Sequence, residues 1–202
     1  MKPIRVVADV SGLPDVTFGP RSTPWWGTLG FMVTEGLSLL ICAVTYLYLR
    51  KNFYAFPSEA TPLPSLGVPI LQLVVMGISI VPMWYAARSA RRLDLDRTRI
   101  ALTIAIVIKL AILVIRWYEF KALNTWWNSD AYGSAAWVTM GFHTTLLILD
   151  VAEDAGIAFI MWSGQLRARF FSDTVDDAMY WYFTVASWVP LFVLLFLYPR
   201  WT

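Results

Sequence analysis

Ionisable side chains interrupt long apolar runs at several points in this sequence. Glu35 lies in WWGTLGFMVTEGLSLL, Lys109 and Arg116 lie in IALTIAIVIKLAILVIRWYEF, and His143, Asp150, Glu153 and Asp154 share the run 131–162. Such groups are expensive in hydrocarbon. They face a bundle interior and pair, or they mark an ion or proton pathway. Their spacing sorts them. Arg116 stands seven residues beyond Lys109 and Glu119 three beyond Arg116, which places all three on one helical face. His143, Asp150 and Asp154 follow one another at seven and four, with Glu153 alongside. Glu35 is nine residues into its run, roughly 14 Å deep at 1.5 Å per residue and so close to mid-membrane. Arg116 is near enough to the end of its run to snorkel. Lys109 is not, and Asp150 is its expected partner. Two readings fit this pattern: a buried Lys109–Asp150 ion pair, or a proton relay through Glu35 or Asp150. A metal site is not expected, because di-iron bundles use Glu-x-x-His pairs on facing helices and no such pair occurs here.

The elements that position these residues follow from composition. Of 202 residues, 58% are hydrophobic, 16% aromatic and only 15% charged, against about 25% charged in soluble domains. Eleven tryptophans suit interfacial belts. The expectation is an all-α, multi-pass membrane protein with helices over 26–49, 66–87, 100–120, 131–162 and 179–198. Residues 1–24 read as an extramembrane arm without the apolar core of a signal peptide, and residues 25–202 as the membrane domain. With the N-terminus inside, ten Lys and Arg fall inside and four outside, which favours N-in, C-out. The short connections suggest that consecutive helices pack side by side. The fourth run would measure about 48 Å as one helix, against a hydrocarbon core of about 30 Å, so it must tilt or protrude. Inward protrusion would bring Asp154 to the headgroups, within reach of Arg167 or the basic loop, and leave Asp150 deep.

Other functions are excluded or weakened. Cys42 is the single cysteine, so neither a disulfide framework nor a zinc pattern can form. His143 is the single histidine, so a bis-histidine haem or a three-histidine copper site cannot be assembled within this chain. The basic loop RSARRLDLDRTR, with Arg88, Arg91 and Arg92, reads as a topology signal that touches anionic lipid headgroups rather than nucleic acid. Gly27, Gly30, Gly36 and Ser38 flank Glu35 and allow another helix close approach.

Several stretches resemble one family. WWGTLGFMVTEGLSLL (25–40) is similar to the segment of haem–copper oxidase subunit III that carries an intramembrane glutamate. WYEF (117–120) resembles its Tyr-Glu pattern at the end of a span, and SDAYGSAAWVTMGFH (129–143) its Tyr-Gly-Ser to Gly-Phe-His stretch. AMYWYFTVASWVPLFVLLFLY (178–198) resembles its closing helix. The order matches, and five runs suit the short bacterial form. Thr144, Thr145 and Leu146 stand where the family has Gly-Leu-His, and Tyr182 and Val185 replace a histidine and an aspartate. Asp150, Glu153 and Asp154 occupy a region that is apolar in the family.

The resemblance implies an accessory, non-catalytic subunit in the bacterial cytoplasmic membrane. It would hold no cofactor itself; haem and copper would sit in partner subunits. It would flank oxidase subunit I, with subunit II nearby. Phospholipid would lie between helices one and two on one side and three to five on the other, with headgroups at Arg88, Arg91 and Arg92, and the chain would support proton uptake. Carried over by position, Glu35 matches the family glutamate, Glu119 the Tyr-Glu position and His143 the first histidine; a Glu35–His143 contact is expected. A quinol oxidase or a nitric oxide reductase is the alternative complex, and a small proton-coupled transporter using Glu35, Lys109 and Asp150 is the alternative outside the family.

Overall fold

A computed structural model of the chain describes residues 16–164 and 168–201. Lys2, Arg5 and Arg167, which enter the charge count above, lie outside the described residues. The described chain is helical: α1 (Thr23–Asn52), α2 (Gly67–Ala90), α3 (Leu95–Ala122), α4 (Ala131–Ser163) and α5 (Arg169–Phe192), followed by a π turn (Val193–Leu197) and a 3-10 turn (Tyr198–Arg200). By length and composition, α1, α2, α3 and the α5 segment running on to Arg200 could each cross a membrane. With 33 residues α4 is also long, but it carries Asp150, Glu153 and Asp154. The molecule is a multi-pass membrane bundle.

Local chemistry sets the helix ends. Asp94 caps α3 by accepting from the Arg97 amide at 3.1 Å, and Asp130 caps α4 by accepting from Gly133 at 2.6 Å. Gly164 ends α4 at φ 76, a left-handed conformation that glycine adopts without steric penalty. The stretch 129–137 is a structural corner. Ser134 donates to the Trp127 carbonyl at 2.7 Å and Trp137 to the Thr125 carbonyl at 2.9 Å. A methyl group at Gly133 would run into the Trp126 carbonyl.

Side-chain pairs fix the helix directions. Lys109 meets Asp150 while Arg116 meets His143, so α3 and α4 are antiparallel. Lys109 meets Trp181 while Arg116 meets Trp188, so α3 and α5 are parallel. Arg116 reaches Met76 and Trp181 reaches Ser79, which reverses α2. Tyr46 meets Tyr132 at one end of α1, while Glu35 shares a cavity with Asp150 further along, so α1 opposes α4. Directions therefore alternate along the chain. Ser172 donates to the Thr17 carbonyl at 2.8 Å, so the start of α5 and the described N-terminal residues share one end of the bundle; Arg200, bonded to the Pro64 carbonyl, lies at the other.

Two expectations are corrected. α1 packs mainly on α4 and α5, while α2 forms a hairpin with α3 and joins α5. A cleft separating helices one and two from three to five is therefore not the arrangement found. The turn after α2 returns the chain onto α2, with Leu93 at φ 55 and Asp94 as the next cap. The looser 53–66 connection leaves α1 free to pack elsewhere. In addition, α5 begins at Arg169, ten residues before the apolar run. Its first turns bury Phe170, Phe171 and Val175 against the bundle, so packing extends the helix beyond the continuous apolar stretch.

Candidate functional site

The ionisable residues come together in two polar tiers inside the bundle. The first is built on Lys109. Its ammonium lies 2.6 Å from Asp150 Oδ2 and 2.6 Å from Asp154 Oδ2, and 4.3 Å from the centre of the Trp181 ring. Lys109 is 1% exposed and both aspartates 0%. A lysine stem that reached lipid would strand the charge, whereas here two carboxylates and an aromatic face surround it. Trp181 is held in turn by Nε1 donating to Ser79 at 3.0 Å.

The second tier is seven residues further along α3, about 10 Å at helical rise. Arg116 Nη1 lies 2.9 Å from Glu119 Oε2. Its Nη2 is 3.3 Å from His143 Nδ1, and the guanidinium sits 3.7 Å from the Trp188 ring centre. His143 Nε2 is 3.0 Å from the Thr184 carbonyl. A carbonyl only accepts, so Nε2 carries the proton. Nδ1 then accepts from Arg116, and the imidazole is neutral in this hydrogen-bond pattern.

The same spacing recurs on three helices: Lys109 and Arg116 on α3, Asp150 and His143 on α4, and Trp181 and Trp188 on α5 are each seven apart. Two helical turns thus separate two copies of one motif, a cation clamped between an α4 side chain and an α5 indole.

Several expectations change. Arg116 does not snorkel; it is 1% exposed and turned into the core. Asp154 does not reach the headgroups but lies buried beside Asp150, because four residues of helix carry it round to the same ammonium. Glu153, one position off that stripe, is exposed. Glu35 does not pair with His143, whose ring nitrogens face Arg116 and Thr184. Glu35 instead lies beside Tyr180. Together they line a cavity of about 410 Å³ with Phe31, Asp150, Glu153 and Asp177.

Asp177, Tyr180, Trp181 and Trp188 escape sequence reading. The first of these lies outside the apolar run 179–198, and the tryptophans pass for belt residues. The clue was their spacing, which repeats that of Lys109 and Arg116. At the end shared with Thr17, Arg88 and Arg91 line a second cavity of about 460 Å³ with Trp25, Trp84, Asp176 and Tyr182. Arg92 is exposed and is not among the residues that line it. Among the described residues, no group of three or more His, Cys, Asp or Glu side chains is arranged to hold a metal ion.

A sequence model described as cytochrome c oxidase subunit III matches residues 33–201, which contain both tiers. Cytochrome c oxidase subunit 3 of Synechocystis sp. is 25% identical over 176 residues, covering 85% of this chain and 74% of the relative. The protein of the same name from Mammuthus primigenius is 28% identical over 205 residues, with 89% and 74% covered. That from Pelomedusa subrufa is 27% identical over 144 residues, with 69% and 54% covered. With the family pattern running through all five helices and the turns between them, this chain belongs to the cytochrome c oxidase subunit III family.

Proposed function

We propose that this chain is the accessory subunit III of a haem–copper terminal oxidase of the cytochrome c oxidase type, in a bacterial cytoplasmic membrane. The family match over residues 33–201 carries the reading. Most of the arm read over residues 1–24 lies outside the described residues; the helices between Thr23 and Arg200 form one membrane domain. Five helices cross the bilayer, with the N-terminus inside and the C-terminus outside. The alternating helix directions and the surplus of Lys and Arg assigned to the inner side support this topology.

Oxygen reduction takes place in the partner subunit I, which holds haem and copper, with subunit II as a further neighbour. This chain has two tasks. Its tiers lock α3, α4 and α5 in register, because any slip would strand buried charges. Its cavity between α1, α4 and α5 presents Glu35, Glu153 and Asp177 near mid-membrane, where protons can pass towards the neighbouring subunit. Phospholipid headgroups sit at Arg88 and Arg91, with Trp25 and Trp84 as aromatic walls.

The test is to affinity-purify the tagged chain from its native membrane in mild detergent. A haem spectrum with oxygen consumption driven by reduced cytochrome c is expected. Activity with quinol alone would move the chain to a quinol oxidase, and nitric oxide reduction to a nitric oxide reductase. Solute movement by the chain alone in vesicles would overturn the subunit reading.

A further inference from the structure

The cavity beside Glu35 is lined by carboxyl groups beyond the two that pair with Lys109. Lys109 is engaged by Asp150 and Asp154, both at 2.6 Å. Asp177 is 2% exposed and faces Asp154, another acceptor. Glu35 Oε2, on a side chain 8% exposed, has no hydrogen-bond partner among the described residues. No basic group of the described residues lies within ion-pair distance of Glu35 or Asp177. Both line the same cavity. A buried carboxylate without a donor calls for a cation or a proton.

The shape of the site argues for a side chain arriving from outside. About 410 Å³ is far more than a bare ion needs; it admits an ammonium or guanidinium head and several waters at about 30 Å³ each. Phe31 and Tyr180 supply aromatic faces that suit a cation. At the mouth lies Gly27, where a Cβ would meet nothing within 4 Å, so another backbone can approach closely. α1 is also poorly covered, with 11% of its apolar window buried against 33% for α2 and α3.

We propose that a transmembrane helix of the neighbouring oxidase subunit crosses α1 at Gly27 and places a lysine or arginine side chain in this cavity, between Glu35 and Asp177. The inference rests on the subunit reading. It makes the acidic cavity the place where the two subunits recognise each other by charge as well as by packing.

The test counts haem per tagged chain after purification in mild detergent, for wild type and two α1 variants. Thr28→Lys supplies the cavity with its own ammonium and repels the incoming one. Haem per chain should fall about tenfold or more, as for loss of a buried charge pair across an interface. Gly27→Leu blocks close approach without touching a carboxylate and should lower haem in the same assay. Detergent unfolding of each purified chain shows whether it is folded. If Thr28→Lys misfolds, Gly27→Leu decides, because leucine is a good helix former in open space. Wild-type haem content in the folded variants overturns the inference. Absence of haem from the wild-type chain would instead overturn the subunit reading.

Discussion

The two tiers share three helices and one spacing but differ in charge. In the Arg116 tier one guanidinium meets one carboxylate, Glu119, and a neutral imidazole. In the Lys109 tier one ammonium meets two carboxylates, Asp150 and Asp154, with Asp177 facing it beyond ion-pair distance. The first is charge-balanced within itself. The second carries an excess of acid and adjoins the cavity through Asp150. A closed tier needs nothing beyond the bundle, so its role is to hold helices in register. An acid-rich tier next to an opening has chemistry left over for another partner. The resemblance read from the sequence falls on His143 and Glu119 in the closed tier, and the same reading sets Asp150 and Asp154 apart from the pattern.

Removing each cation is the strongest way to break the comparison. Lys109→Met strands two buried carboxylates at once and should destabilise the chain by about 5 kcal/mol, the upper end for a broken buried pair. Arg116→Met strands only Glu119, and about 3 kcal/mol is expected. Reversible unfolding of the purified chain in mixed detergent checks both. The ranking fails if Arg116→Met is the more damaging. A sharper form removes the charges together. Arg116→Met with Glu119→Leu should recover most of the loss, since replacing an entire buried pair with apolar groups is often neutral. Lys109→Met with Asp150→Leu should recover less, because Asp154 and Asp177 remain buried without Lys109.

Much of this was legible in the sequence because it rests on helical period. The seven-residue steps from Lys109 to Arg116 and from His143 to Asp150 put the right residues on the inner faces of α3 and α4, and the Lys109–Asp150 pair follows from them. What periodicity cannot supply is azimuth and neighbour. Nothing local says that α1 lies on α4 and α5 instead of beside α2, nor at what level: α1 does meet α4, but Glu35 comes level with Asp150, two turns from His143, and the expected Glu35–His143 contact does not form. An apolar-run criterion also stops where charges begin. It cut α5 short at Met179 and so placed Asp177 outside the membrane domain's core, where it is buried.

The two tryptophans give a finer contrast. Trp181→Phe weakens the cation–π contact with Lys109 and also removes the Nε1 hydrogen bond to Ser79, leaving that hydroxyl without its donor. A loss of about 2 kcal/mol is expected, roughly half from each term. Measured in Ser79→Ala the loss should shrink, because a shared bond makes the two losses less than additive; an unchanged loss would show that the hydrogen bond contributes nothing.

Trp188→Phe should have the smallest effect of the set. Trp188 stacks on Arg116 at 3.7 Å, closer than Trp181 lies to Lys109 at 4.3 Å. Distance alone would therefore make it the costlier change. Its Nε1, however, has no hydrogen-bond partner among the described residues although it is buried. Phenylalanine removes that unsatisfied donor along with the larger ring. The relief of a buried N–H, about 1 kcal/mol or more, opposes a cation–π loss of similar size. The net change should stay within about 0.5 kcal/mol. Unfolding of Trp188→Phe beside Trp181→Phe measures whether the indole N–H or the ring face sets the worth of each tryptophan. Equal losses at both positions would mean that the ring face decides and the hydrogen-bond difference between the tiers carries no weight.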